Sequence, residues 1–83
     1  MSQANLLTLS QLHPGQRLRI VKLEIQGTLR RRLLDLGFVQ DEIVEVLYKS
    51  PLGDPVAYQV QNTTIALRRE ESSLIYGEIV GGD

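Results

Sequence analysis

Five of the seven arginines in this 83-residue chain fall in two clusters, Arg30-Arg31-Arg32 and Arg68-Arg69. A guanidinium presents a planar fork of donors that matches carboxylates and phosphates. The chemistry open to these clusters is recognition of an acidic partner surface. A narrower version is an arginine finger reaching a nucleotide phosphate on a partner. The plainer alternative is a solvated face whose arginine stems cover leucines. Other chemistry has little support. The single histidine, His13, precedes Pro14 in a predicted turn, and no serine or threonine has a histidine partner in sequence to act as its base. The pairs Asp41-Glu42 and Glu70-Glu71 are adjacent, and adjacent residues on a strand point to opposite faces. The chain has no glycine-rich phosphate loop. It has no cysteine, which removes disulfides, thiolate metal ligands and thiol nucleophiles. The expectation is a chain without catalytic residues.

The elements that position the clusters follow from periodicity. Leu9-Ser10-Gln11-Leu12 reads as a short N-terminal helical turn, and His13-Pro14-Gly15-Gln16 as a turn. Residues 17–23 alternate, with Leu18 and Ile20 on one face and Arg17 and Arg19 on the other. One short helix follows. Thr28 is its expected N-cap, Leu29, Leu33 and Leu36 form an apolar stripe, and Gly37 suits the left-handed position that ends it. Arg30, Arg31 and Arg32 then lie at the positive end of the helix dipole, where basic residues are unfavourable, and Arg31 can pair with Asp35 only in the weaker orientation. Four more strands are expected. Residues 43–49 place Val44, Val46 and Tyr48 on one face. Residues 56–61 place Val56, Tyr58 and Val60 inward and Ala57 outward. Asn62-Thr63 turns into residues 64–69, with Ile65 and Leu67 on one face. Glu70-Glu71-Ser72-Ser73 is a polar break or one helical turn, and residues 74–80 carry Ile75 and Ile79 on one face.

Between the second and third strands lies Ser50-Pro51-Leu52-Gly53-Asp54-Pro55, which holds two of the 3 prolines. Proline removes a backbone donor and glycine adopts positive φ, so this segment must cross between strands. Leu52 stands at its tip. On sequence alone it either projects as a docking contact or folds back over the end of the fold.

Eighty-three residues make one small domain, residues 1–83, with 42% hydrophobic and 5% aromatic content, so the core is mostly aliphatic. Five short strands and one helix in that length point to a mostly β fold, a small five-stranded SH3-like barrel with one short helix between its first two strands. The net charge of −1 argues against a dedicated nucleic-acid binder. No apolar run approaches the roughly 20 residues of a membrane span. The N-terminus has no basic region of the signal-peptide kind.

Four segments carry a family resemblance. Arg31-Arg32-Leu33-Leu34-Asp35-Leu36-Gly37-Phe38 resembles the signature helix of the FeoA family, ferrous iron transport protein A. Pro51-Leu52-Gly53-Asp54-Pro55, Ile65-Ala66-Leu67-Arg68-Arg69-Glu70 and the opening Leu9, Leu12 and Gly15 resemble its other signatures, in matching order and spacing. One departure is visible: Gln40-Asp41 stands where the family usually has Pro-Gly. The resemblance implies an SH3-like barrel, a cytoplasmic location and a supporting, modulating role in ferrous iron uptake and iron homeostasis. The implied partner is FeoB, a membrane transporter with a cytosolic G domain, so that contact with the membrane is indirect. Iron itself is not an expected ligand, because ferrous sites favour histidine with carboxylates and one histidine cannot build such a set within a monomer. No cofactor and no metal site are expected. The expected partner-binding surface combines Arg30, Arg31, Leu52, Gly53, Asp54, Pro55 and Tyr58. A second reading is a regulatory SH3-like module binding peptides or nucleic acid. It is weakened because the strand phases place Tyr48 and Tyr58 in the core, whereas grooves for proline-rich peptides are lined by aromatics. Strand edges of an incompletely closed barrel also leave room for weak homo-oligomers.

Overall fold

The computed structural model describes residues 6–81. In chain order the elements are β1 (Leu7–Thr8), a 3₁₀ turn (Leu9–Gln11), β2 (Arg17–Leu23), α1 (Gly27–Leu36), β3 (Ile43–Lys49), β4 (Val56–Val60), β5 (Thr63–Leu67), α2 (Arg69–Ser72) and β6 (Ile75–Val80). The strands form one antiparallel six-stranded sheet in the order β1-β6-β2-β3-β4-β5. It is mostly β with an SH3-like course, as expected. The sixth strand is β1, whose two residues are too few to leave an alternating pattern.

Alternation held where the ladder is regular. Leu18 and Ile20 are buried, with Leu33 and Phe38 of the helical segment and Val44, Val46 and Val60 of the neighbouring strands. It failed where the register slips. A shift between Val46 and Tyr48 leaves Leu47 as an extra residue, so Tyr48 turns outward and is 61% exposed. Its cross-strand partner Ala57 shares that outer face and is covered rather than exposed. Ile75 is buried, but Ile79 near the end of β6 is exposed. The β4–β5 turn is Gln61-Asn62, one residue earlier than expected. Gln61 takes the positive φ of 54° that a glycine would supply.

The helix ends as its sequence dictates but does not begin so. Gly37 sits at φ 113° and donates to the Leu34 carbonyl, while the Phe38 N–H bonds the Leu33 carbonyl at 2.9 Å. That is a Schellman ending, with Phe38 and Leu33 both fully buried beside it. At the start, Gln26 rather than Thr28 holds the N-cap position, and no side chain caps the helix. The Gln40-Asp41 departure resolves into a tight turn. Asp41 adopts φ 74°, and the Glu42 N–H bonds the Val39 carbonyl at 3.0 Å. Asp41 tolerates the left-handed conformation and its carboxylate accepts from Arg19 at 2.6 Å. Arg19 also pairs with Glu78 of β6, and these carboxylates, Glu78 first, raise the guanidinium pKa further.

Closure depends on Gly77. It pairs with Ile20 on one side and Leu7 on the other. A Cβ placed there would lie 2.1 Å from the Arg19 carbonyl oxygen and 2.8 Å from Leu18 Cγ. Backbone on a bulged strand cannot yield as a flexible side chain can. Gly77→Ala is therefore expected to destabilise the fold by about 1–3 kcal/mol, lowering Tm by roughly 5–20 degrees for a domain of this size. Thermal unfolding followed by circular dichroism checks this. A loss under about 1 kcal/mol would show that β6 is free to move.

Candidate functional site

The 50–55 segment is a braced turn. The Gly53 N–H bonds the Ser50 carbonyl at 2.8 Å, and the Ser50 N–H bonds the Pro55 carbonyl at 3.1 Å. Gly53 sits at φ 87° with nothing near its missing Cβ, so its role is conformational. The Asp54-Pro55 peptide is cis. Leu52 follows Pro51 at the outer bend and is 94% exposed. The alternative of a leucine folded back over the barrel end is not what forms.

The turn is also tied to α2. Asp54 Oδ1 accepts the Arg69 backbone N–H at 2.9 Å, and Glu71 Oε1 accepts the Arg68 N–H at 2.8 Å. The first amides of a helix have no partner within it, so carboxylates are favourable there. Here one comes from the helix itself and one from fifteen residues upstream.

These contacts assemble a small polar depression lined by Lys49, Gly53, Asp54, Tyr58, Arg69 and Ser72, among others. Tyr58 is only 2% exposed, so its ring belongs to the core and cannot be a surface contact in the way the sequence suggested. Its hydroxyl end faces this depression. Burial pushes the Tyr58 phenol pKa up, the Ser72 hydrogen bond lowers it, the Asp54 charge raises it and the Arg69 charge lowers it. Lys49, Arg68 and Arg69 form no ion pair among the described residues. With Leu52 and Tyr48 exposed nearby in sequence, the β3–β4 end offers apolar and cationic groups together.

The other expected contacts lie elsewhere. α1 leads into the Ile43 end of β3, whereas the turn leaves its Lys49 end. Arg30 borders a separate groove with Ile20, Leu23, Leu34 and Phe38. Its Nη1 donates to the Leu23 carbonyl at 3.1 Å and the Ile25 carbonyl at 3.4 Å. A cation at the wrong end of a helix dipole is thus explained locally: it satisfies carbonyls at the end of β2. Arg31 is exposed, and no Arg31–Asp35 bridge forms. Among the described residues no three His, Cys, Asp or Glu side chains come together as metal ligands would. No helix of the described residues is long and apolar enough to cross a membrane. Sequence reasoning missed Tyr48 and Lys49. Only the bulge at Leu47 exposes Tyr48, and a bulge leaves no compositional mark.

Asp54→Ala should cost about 0.5–2 kcal/mol in urea denaturation, as loss of a helix-capping acceptor does, while Asp54→Asn, which keeps an acceptor, costs less. Equal losses would remove the proposed bond. Because the folded Tyr58 phenol is raised, its contribution is present below the ordinary tyrosine value and is lost as pH climbs above it. An alkaline absorbance titration should show one tyrosine ionising only with unfolding, a step absent in Tyr58→Phe. Full ionisation of all 3 tyrosines with native circular dichroism would contradict it.

Comparison with known proteins places this geometry. The family model described as the FeoA domain matches residues 7–79. An Fe(2+) transport protein A/Fe(2+) transporter FeoB fusion protein of Porphyromonas gingivalis is 36% identical over 77 residues, covering 93% of this chain and 9% of that protein. The solution structure of iron(II) transport protein A from Clostridium thermocellum superposes with a TM-score of 0.84 at 43% identity, covering 92% of this chain and 47% of that one. Stenotrophomonas maltophilia FeoA complexed with zinc, described as a procaryotic SH3 domain protein, superposes with a TM-score of 0.73 at 29% identity, covering 87% and 96%. The chain thus spans a small part of the fusion relative and about half of the Clostridium one.

Proposed function

From the premise that this chain belongs to the FeoA domain family, we propose that it is a non-catalytic accessory protein of ferrous iron uptake. It acts on the cytoplasmic side, docking on the cytosolic part of a FeoB-type transporter and modulating it. The observation that carries this reading is Leu52, 94% exposed on a turn braced by its own backbone and by α2. The Porphyromonas gingivalis relative, in which protein A and FeoB are one chain, supports the choice of partner.

The physics favours this turn as the contact. Covering a leucine side chain contributes about 1.5–3 kcal/mol. A turn already held in place loses little freedom on binding, which leaves more of that gain as affinity. Lys49 and Arg69 would meet an acidic rim and fix orientation. Gly53, Asp54 and Pro55 hold Leu52 in position rather than supplying most of the contact. Arg30, occupied with the Leu23 and Ile25 carbonyls, is a supporting residue. Arg31 lies toward the other end of β3 and would contribute only if the partner wraps that far.

Leu52→Ala should weaken binding of the purified cytosolic part of FeoB by tenfold or more, the loss of about 1.4 kcal/mol expected of a contact hot spot. Its Tm should stay within a degree or two, because an almost fully exposed side chain contributes little to folding. Calorimetric titration beside thermal unfolding checks both. Equal affinity for wild type and variant would remove the turn from the interface.

A further inference from the structure

We propose that the outer edge of β5 joins two copies of this chain, pairing Thr63–Leu67 with itself antiparallel about a two-fold axis at Ile65. The hydrogen-bond phase of β5 leads there. The two-residue turn Gln61-Asn62 closes on the pair Val60 and Thr63. In such a hairpin the closing pair exchanges both of its backbone bonds. Bonded and non-bonded pairs then alternate, so Ile65 and Leu67 also direct their backbone groups to Tyr58 and Val56 of β4. Thr64 and Ala66 must turn theirs the other way. Among the described residues, no strand neighbours that side of β5 and no turn or loop bond reaches it.

Two outward N–H groups and two outward carbonyls, spaced two residues apart, are complementary to themselves. Thr64 of one copy opposite Ala66 of the other exchanges two bonds, and the symmetric pair exchanges two more. Ile65, half-buried, then faces its own copy across the axis. The register sets Arg68 opposite Asn62 and Arg69 opposite Gln61, so no like charges face each other. The strand Thr-Thr-Ile-Ala-Leu contains no lysine, no proline and no bulge, the usual devices that keep an edge from pairing. The opposite edge of the sheet is different. There β1 covers β6 at Tyr76 and Gly77, which disfavours head-to-tail growth and favours a closed pair. An interface of one five-residue strand is small, so the association is weak and transient.

The test is sedimentation velocity of the full chain from micromolar to millimolar concentration, with amide NMR spectra over the same range. The expected result is a mass rising from 9.3 kDa toward the dimer, with the Thr64 and Ala66 amides moving most. Ala66→Pro removes an outward N–H and none of the bonds to β4, while its ring also restricts φ, and Thr64→Lys places two lysines beside the axis while keeping every backbone donor. Both should stay monomeric at the top concentration, and Thr64→Lys tests the proposal even if Ala66→Pro folds poorly. A wild type that stays monomeric throughout overturns the proposal. So does a dimer that survives Thr64→Lys, or one whose shifts centre on Leu52.

Discussion

The fold turns on the contact between two backbones at Gly77. β6 crosses β2 so closely that a single methyl group would meet the Arg19 carbonyl. This crossing places β6 between β1 and β2 and brings α2, which leads into β6, back toward the turn between β3 and β4. The Arg19 pairs with Asp41 and Glu78 lie beside it and tie the helix-to-β3 turn to β6. With only 5% aromatic residues there is no large aromatic core to compensate for a poor crossing.

The exposed turn inherits its rigidity from that closure. Once α2 is in place, its first amide is within reach of Asp54, and one hydrogen bond couples two segments distant in sequence. A leucine in a loop of this kind would ordinarily collapse onto the nearest apolar surface, because exposure costs free energy. Here the backbone bonds of Ser50 and Gly53 hold the bend that keeps Leu52 out. The energy of folding thus keeps an apolar group in water, which is the arrangement a preformed contact requires.

Much of this was legible in the residues. Leu18 and Ile20 alternate on a regular ladder, and Gly37 ends α1 because only the left-handed conformation allows the Leu33 and Leu34 carbonyls to be satisfied. What stayed hidden depends on register or on distant partners. Alternation alone puts Tyr48 in the core, because nothing in Val-Leu-Tyr announces an extra residue at Leu47. Nothing in the residues around Gly77 marks it, since its meaning lies in Arg19 across the sheet. Arg30 looked like a misplaced cation until the carbonyls of Leu23 and Ile25 came into view. Leu52 is held outward by the backbone bonds of its own turn, which Asp54 ties to the distant Arg69 amide, and of the two places open to Tyr58 only the core holds it.

The proposed partner-facing surface is the β3–β4 end and not the arginine face of α1. The most direct measurement is amide NMR of the labelled chain titrated with the unlabelled cytosolic part of FeoB. The predicted result is a perturbed patch centred on residues 48–54 and Arg69, with Arg31 and Arg32 unmoved. Perturbations confined to α1, with Leu52 and Gly53 unchanged, would contradict it.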